Sequence, residues 1–342
     1  MNLSLKTIGL LLLGSLLGNP FCKRMMSLSY HVRDVPSGSS WMTAHYTKGI
    51  SDVGFLTFMV IAFTYIRAVF MKSIFNPLGK WLGVRNSKLE RFEEQMYIML
   101  YYVISWTCGM VLMINSPYWV NTDHYFIEYP NQEICGALKA YYLMELGFWV
   151  QQIYVVNTDS KRKDYLAMLL HHFLTCTLIG LAYALPLTRA GNAVMVLMDI
   201  SDVFLAVRFI DIAKVLKYLG YSTICDAFFG LFVASWVITR HYLFPLMIMS
   251  FYNKPQQFLD TAWDLENSKI LTVNVQNILL VLLLGLECIL CYWLFMIFKV
   301  IYQMFNGAAA NDNRSHDEES EEENEAEVVM NLAIGRSVNE KR

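Results

Sequence analysis

Eight apolar runs, at about residues 3–20, 50–71, 96–115, 137–157, 165–187, 191–213, 224–251 and 272–304, decide what this chain can fold into. A helix crosses the hydrocarbon core of a bilayer with about 20 apolar residues. Lipid offers no partner to backbone N–H and C=O groups, so each run must close its own hydrogen bonds as helix. The chain is 56% hydrophobic and only 16% charged. A soluble domain carries about 25% charged residues, and one of 342 residues could not hide so much apolar surface. The expected fold is all-α: a polytopic membrane protein with about eight transmembrane helices.

The first run is short enough for a signal peptide. Pro20 and Phe21 make a poor small-residue cleavage site, so it is expected to stay as an anchor. The chain divides into three parts: anchor helices and a cytoplasmic link at 1–95, a main helical domain at 96–305, and a tail at 306–342. From Asp312 to Glu327 the tail holds nine acids against one base, Arg314. Such a segment buries too little apolar surface to fold and is expected to be disordered. Net charge is −2, and no basic patch suggests nucleic acid. The seven cysteines lie mostly in apolar runs, which is no disulfide framework. Cys288 and Cys291 form a CxxC inside an apolar helix, where packing is the simpler role.

Basic residues orient membrane segments. Lys72, Lys80, Arg85, Lys88 and Arg91 come after the second run, Lys161, Arg162 and Lys163 after the fourth, and Lys214 and Lys217 after the sixth. Acidic loops come after the third run (Asp123, Glu128, Glu133) and the seventh (Asp260, Asp264, Glu266). Alternating spans put every basic loop and both termini in the cytoplasm. The Asn-x-Ser sites at Asn2 and Asn313 would then stay unmodified.

Within the apolar runs stands a polar set. His171 and His172 are adjacent in "LLHHFLTCTL", and Asp199 and Asp202 share one face of the next run at i, i+3. Counted from the cytoplasmic helix ends, His172 lies about 12 Å and Asp202 about 16 Å deep, so the two can meet. Thr175 lies between the histidines on their helix, and Trp149, Gln151 and Gln152 come from the preceding run. Arg240 and His241 are expected nearer the lumen, with Glu145 and Glu287 at similar depth and an Arg240–Glu287 ion pair. Ionisable groups in a bilayer are costly and face a cavity or each other. Helix-to-helix hydrogen bonding alone would also explain them, and for the glutamines it is as good an account.

An imidazole can serve as acid, base or nucleophile near neutral pH. A nearby carboxylate can orient its ring and stabilise the imidazolium. In a lipid-accessible bundle this suits an amphipathic substrate. There is no Gly-rich phosphate loop, GxSxG or HExxH, and seven histidines with only two clustered do not make a di-iron hydroxylase. No metal and no cofactor are expected.

The stretch "FWVQQ…KRKDYLAMLLHHFLTCTLIGLAYAL…MDISDVFLAV" resembles the Lag motif of ceramide synthases within the TLC domain. "FFGLFVASWVITRHYLFP", "LERFEEQMYIMLYYVISWTCGM" and "YYLMELGFW" are similar too, and the resemblance covers about residues 88–305. It implies a TLC-type helix bundle around a central cavity in the endoplasmic reticulum membrane. It implies N-acylation of a sphingoid base by a fatty acyl-CoA co-substrate. The family's essential pairs map to His171 and His172, and to Asp199 and Asp202. One histidine would carry the acyl group or deprotonate the amine; His172, with Asp202 beside it, is favoured. Trp149, Gln151, Gln152, Thr175, Arg240 and His241 would line the substrate, and Lys161, Arg162 and Lys163 would meet the CoA phosphates. In the family the lumenal loop before the last segment, here about 252–270, influences acyl length.

The link between the second and third runs is too short for the homeobox-like insert of many animal members, which favours a fungal or other non-animal type. Fungal members resemble this chain in their acidic tails and use a small single-pass accessory subunit; a homodimer or a dimer with a paralogue is compatible with the resemblance. Ser315 and Ser320 precede acidic runs, as acidophilic kinases of the casein kinase 2 type prefer for phosphorylation, and an unmodified solvating tail is as good an account. The alternatives are a non-enzymatic TLC protein that binds or moves lipid or assists translocation, and an acyltransferase with another amine or alcohol acceptor.

Overall fold

The computed structural model describes residues 7, 8, 10, 14, 18–32, 40–130, 134–159, 164–209, 222–258 and 270–305. Helix dominates. Asn19 caps α1 (Pro20–Met26) by accepting from Phe21 N at 2.9 Å, with Pro20 in the first turn. α2 (Asp52–Phe70) continues through a π-turn (Met71–Phe75) into α3 (Asn76–Trp81). Then come α4 (Asn86–Ile114), α5 (Gly136–Thr158), α6 (Tyr165–Ala184) and α7 (Thr188–Phe209). α8 (Ser222–Trp236) passes through a second π-turn (Val237–Leu243) into α9 (Phe244–Asn253). The short α10 (Pro255–Phe258) precedes α11 (Val273–Phe305). The strands β1 (His45–Tyr46) and β2 (Ile134–Cys135) pair antiparallel.

Among the described residues, five stretches are long and apolar enough to cross a membrane: Asp52–Trp81, Asn86–Ile114, Tyr165–Ala184, Phe229–Asn253 and Val273–Gln303. The expected count of eight is therefore not reached by that measure. α5 and α7 are 23 and 22 residues long, but Lys139, Glu145, Gln151 and Gln152 interrupt the first, and Asn192, Asp199, Ser201 and Asp202 the second. All eight of these side chains except Asp202 are buried. These helices pack between neighbours, so their polar groups turn to protein rather than lipid. Most of the expected first span lies outside the described residues; Thr7, Ile8, Leu10 and Gly14 within it are helical.

α4 lies along α7 in the most extensive helix contact, α2 packs on α5, α5 on α6, α8 on α7, and α11 on α6. α6 and α7 touch, as the sequence leads one to expect. One apolar cluster centres on Leu187, Phe232, Phe244 and Leu290, and another on Phe63, Tyr142, Phe148 and Met195. Between the start of α7 and α5 the backbones approach closely: a Cβ on Gly191 would lie 1.8 Å from Tyr142 Oη, which donates to the Thr188 carbonyl at 3.0 Å.

Polar anchors tie one end of the bundle. Lys139 is fully buried. Its ammonium meets Asp52 Oδ1 at 2.8 Å and donates to the carbonyls of Ser29 at 2.8 Å and Thr47 at 2.7 Å. Asp52 also accepts from Tyr183 Oη at 2.8 Å and from Gly49 N at 3.0 Å. Lys48 donates to the Tyr183 carbonyl at 2.7 Å. Burial, with the Lys139 charge as second cause, pulls Lys48 down to about 7.

Candidate active site

α6 presents one face to the outside through Leu170, Phe173 and Thr177, all exposed, and so turns His171 and His172 inward. His172 is buried. The two adjacent imidazoles share one indole neighbour. The Trp149 ring stands 5.4 Å from each imidazole, whose own centroids are 5.6 Å apart. Trp293 of α11 approaches His171 at 5.1 Å, so His171 is held between two indoles. Nδ1 of His171 and Oγ1 of Thr175, one turn apart on α6, are buried without a hydrogen bond. Gln152 donates to Gln151 Oε1 at 3.1 Å, and both are buried.

The second π-turn aims the next group. A π-turn inserts one residue into the helix and rotates the residues after it. Arg240 leaves it to meet Asp202 Oδ1 at 2.7 Å and the Met198 carbonyl at 3.1 Å, with its guanidinium 3.8 Å above the Trp236 ring. The expected Arg240–Glu287 pair is not formed. Glu287 Oε1 is bound instead by His241 Nδ1 at 2.9 Å. Arg240 thus sits at the level of Asp202 rather than deeper, and it is the guanidinium that holds the carboxylate expected beside His172. Cys291 Sγ lies 3.8 Å from Glu287 Oε1 and 3.9 Å from His241 Nδ1. Ser201 and Thr239 hydroxyls, 2.8 Å apart, fasten α7 to the same π-turn.

Asp199 points elsewhere. Its Oδ2 accepts from Ser105 Oγ of α4 at 2.6 Å, and Ser105 also bonds Glu145 Oε1 of α5. Three helices meet on that one hydroxyl. Beyond the imidazoles, about two turns along α6, a cavity of about 60 Å³ opens between Leu178, Ala182, Ala190, Val194, Phe251 and Leu283. Its lining is apolar throughout, so it suits an alkyl group rather than a polar one.

The structure therefore gathers His171, His172, Trp149 and Thr175 in one neighbourhood, with Gln151 and Gln152 buried on the helix that carries Trp149, and Asp202, Arg240 and His241 in an adjoining one joined to it through Trp236 and Trp293, whose rings are 6.5 Å apart. Lys161, Arg162, Lys163, Ser315 and Ser320 lie outside the described residues, as does most of 252–270. Sequence reasoning missed Ser105, Trp236 and Trp293, and left Glu145 without a partner. A lone serine or tryptophan in an apolar run carries no signal of its own.

The TLC-domain family model matches residues 91–299. Sphingosine N-acyltransferase lag1 of Schizosaccharomyces pombe is 39% identical over 306 residues, 89% of this chain and 75% of that protein. The sphingosine N-acyltransferase-like protein ALT7 of Alternaria alternata is 35% identical over 304 residues, 80% and 69% of the two chains. Ceramide synthase LAG1 of Saccharomyces cerevisiae is 31% identical over 297 residues, 83% and 69%. With a family model over most of its length and these fungal relatives on both counts of identity and coverage, the chain belongs to the TLC-domain family of ceramide synthases and is an acyltransferase.

Proposed function

We propose that the protein joins a fatty acyl group from acyl-CoA to the amine of a sphingoid base, forming a ceramide, and that the histidine pair does the chemistry. One observation carries this reading: His171 Nδ1 and Thr175 Oγ1 are buried without hydrogen bonds, His171 between two indoles, and an apolar cavity opens about two turns further along the same helix. Unsatisfied buried polar atoms are costly, and a thioester carbonyl or an amine placed there would satisfy them. The acyl tail then lies along the slot. The names of the relatives supply the substrate class.

Two routes fit. In one, an imidazole nitrogen attacks the thioester carbon, the C–S bond breaks, and the amine displaces the imidazole. In the other, an imidazole takes a proton as the amine attacks directly. Trp149, touching both rings, fixes their orientation in either case. Arg240 holds Asp202, and the pair borders the site from the opposite side. The CoA head meets water beside Lys161, Arg162 and Lys163, at the endoplasmic reticulum membrane with both termini cytoplasmic. A small accessory subunit and a dimer belong to the same reading.

The test is turnover by the purified full chain given a long-chain base and acyl-CoA, with ceramide and free CoA measured. His171→Ala and His172→Ala should each abolish product while the protein elutes as folded. Turnover retained by both would remove the assigned chemistry, and tight lipid binding without any product would favour the lipid carrier. An acyl adduct on intact protein, lost in one histidine variant only, would select the covalent route.

A further inference from the structure

Ser105 carries one hydroxyl hydrogen, yet two carboxyl oxygens bond its Oγ: Asp199 Oδ2 at 2.6 Å and Glu145 Oε1. It donates to one of them. The contact to the other oxygen is satisfied when that carboxyl carries a hydrogen and donates it to Oγ. Burial points the same way. Glu145 and Asp199 are each 2% exposed, and two ionised carboxylates side by side in a dry interior repel each other. The neighbouring guanidinium, Arg240, bonds Asp202. The phenols of Tyr101 and Tyr141 are buried beside the pair.

We infer that Glu145 is a positioning residue for the reaction: through Ser105 it shares a single proton with Asp199, and the two carboxyls act as one monoanionic acid pair. The part that concerns turnover rests on the proposed ceramide synthesis. In that reaction the C–N bond forms and the C–S bond breaks. The ammonium of the base loses two protons; one ends on the leaving thiolate, giving CoA thiol, and one is surplus. A monoanionic pair has room for that surplus proton. Trp149, one turn beyond Glu145 on α5 and 5.4 Å from both imidazoles, links the pair to the histidines.

Infrared difference spectroscopy on the full chain in lipid nanodiscs tests the shared proton directly. At neutral pH the wild type should show a protonated-carboxyl stretch that shifts in D2O. Glu145→Gln and Asp199→Asn should each lose it, because each leaves one ionised carboxylate. Kinetically, Glu145→Gln should lower kcat about tenfold or more with the KM for acyl-CoA unchanged, and Glu145→Asp should recover part of it. No protonated-carboxyl band in the wild type, or a band and kcat untouched by Glu145→Gln, would overturn the inference. If Glu145→Gln does not fold, Ser105→Ala keeps both acids but removes the bridge, and its band should change frequency; an unchanged band overturns the inference equally. The spectrum does not depend on turnover, so a band without ceramide formation would sink the proposed activity and leave the shared proton standing.

Discussion

Replacing Arg240 by methionine removes three things at once: the bond to Asp202 at 2.7 Å, the bond to the Met198 carbonyl at 3.1 Å, and the guanidinium 3.8 Å above Trp236. The side chains of the pair are 5% and 15% exposed, so water does little to screen what remains. Removing one partner of a buried ion pair costs about 3–5 kcal/mol, because the other charge is left uncompensated. A desolvated cation–π contact adds about 1–2 kcal/mol. The sum, about 4–7 kcal/mol, is a large share of the roughly 5–15 kcal/mol that holds a typical fold together. It should lower the melting temperature of the detergent-solubilised protein by roughly 10 °C. Asp202→Leu alone strands the guanidinium and should cost a similar amount. The double variant removes both charges, and deleting a buried pair as a whole is close to neutral. Its melting point should therefore recover most of the loss, a coupling of at least about 3 kcal/mol. Tryptophan fluorescence and size-exclusion chromatography on heated aliquots read both quantities. Single variants that melt within about 1 kcal/mol of wild type, or a double that melts at the sum of the two losses, would refute the argument. The same cycle between Arg240 and Glu287 should show no coupling beyond about 0.5 kcal/mol.

Lys48 binds fewer protons in the folded protein than in the unfolded chain between pH about 7 and its ordinary value of 10.5, so stability should rise with pH across that window, by up to about 1.4 kcal/mol per unit; melts of wild type and Lys48→Met should converge in slope below pH 7 and differ above it. Gly191→Ala drives a methyl into Tyr142 Oη and its bond to Thr188, and should cost about 1–3 kcal/mol on the same melting assay. Val194→Phe narrows the apolar slot and should shift ceramide products toward shorter acyl chains in mass spectra of a mixed acyl-CoA reaction; an unchanged product profile would remove the slot from the acyl path.

The membrane-spanning helices were legible because lipid leaves a helix few alternatives, and the histidine and aspartate pairs because ionisable groups in apolar runs are rare enough to stand out. Partner choice was harder. Depth counting along a regular helix puts Arg240 opposite Glu287, but the π-turn at Val237–Leu243 adds a residue that no propensity announces. That single insertion re-aims Arg240 to Asp202 and gives His241 to Glu287. Ser105 stayed invisible for a different reason. Its partners come from α5 and α7, and nothing within its own helix distinguishes it from a helix-packing serine. α5 and α7 themselves look like ordinary spans by length, although their polar residues mark them as helices lined by other helices.

The buried ammonium of Lys139 reaches back to Ser29, Thr47 and Asp52, between 87 and 110 positions earlier in the chain. A ribosome adding about 5–20 residues per second needs on the order of ten seconds to cover that gap. Throughout it, the first loop and the Asp52 carboxylate have no lysine to settle on. The amino-terminal quarter of this protein is therefore born waiting, and whatever shelters nascent segments at the membrane must hold it until the fifth helix emerges and locks it down.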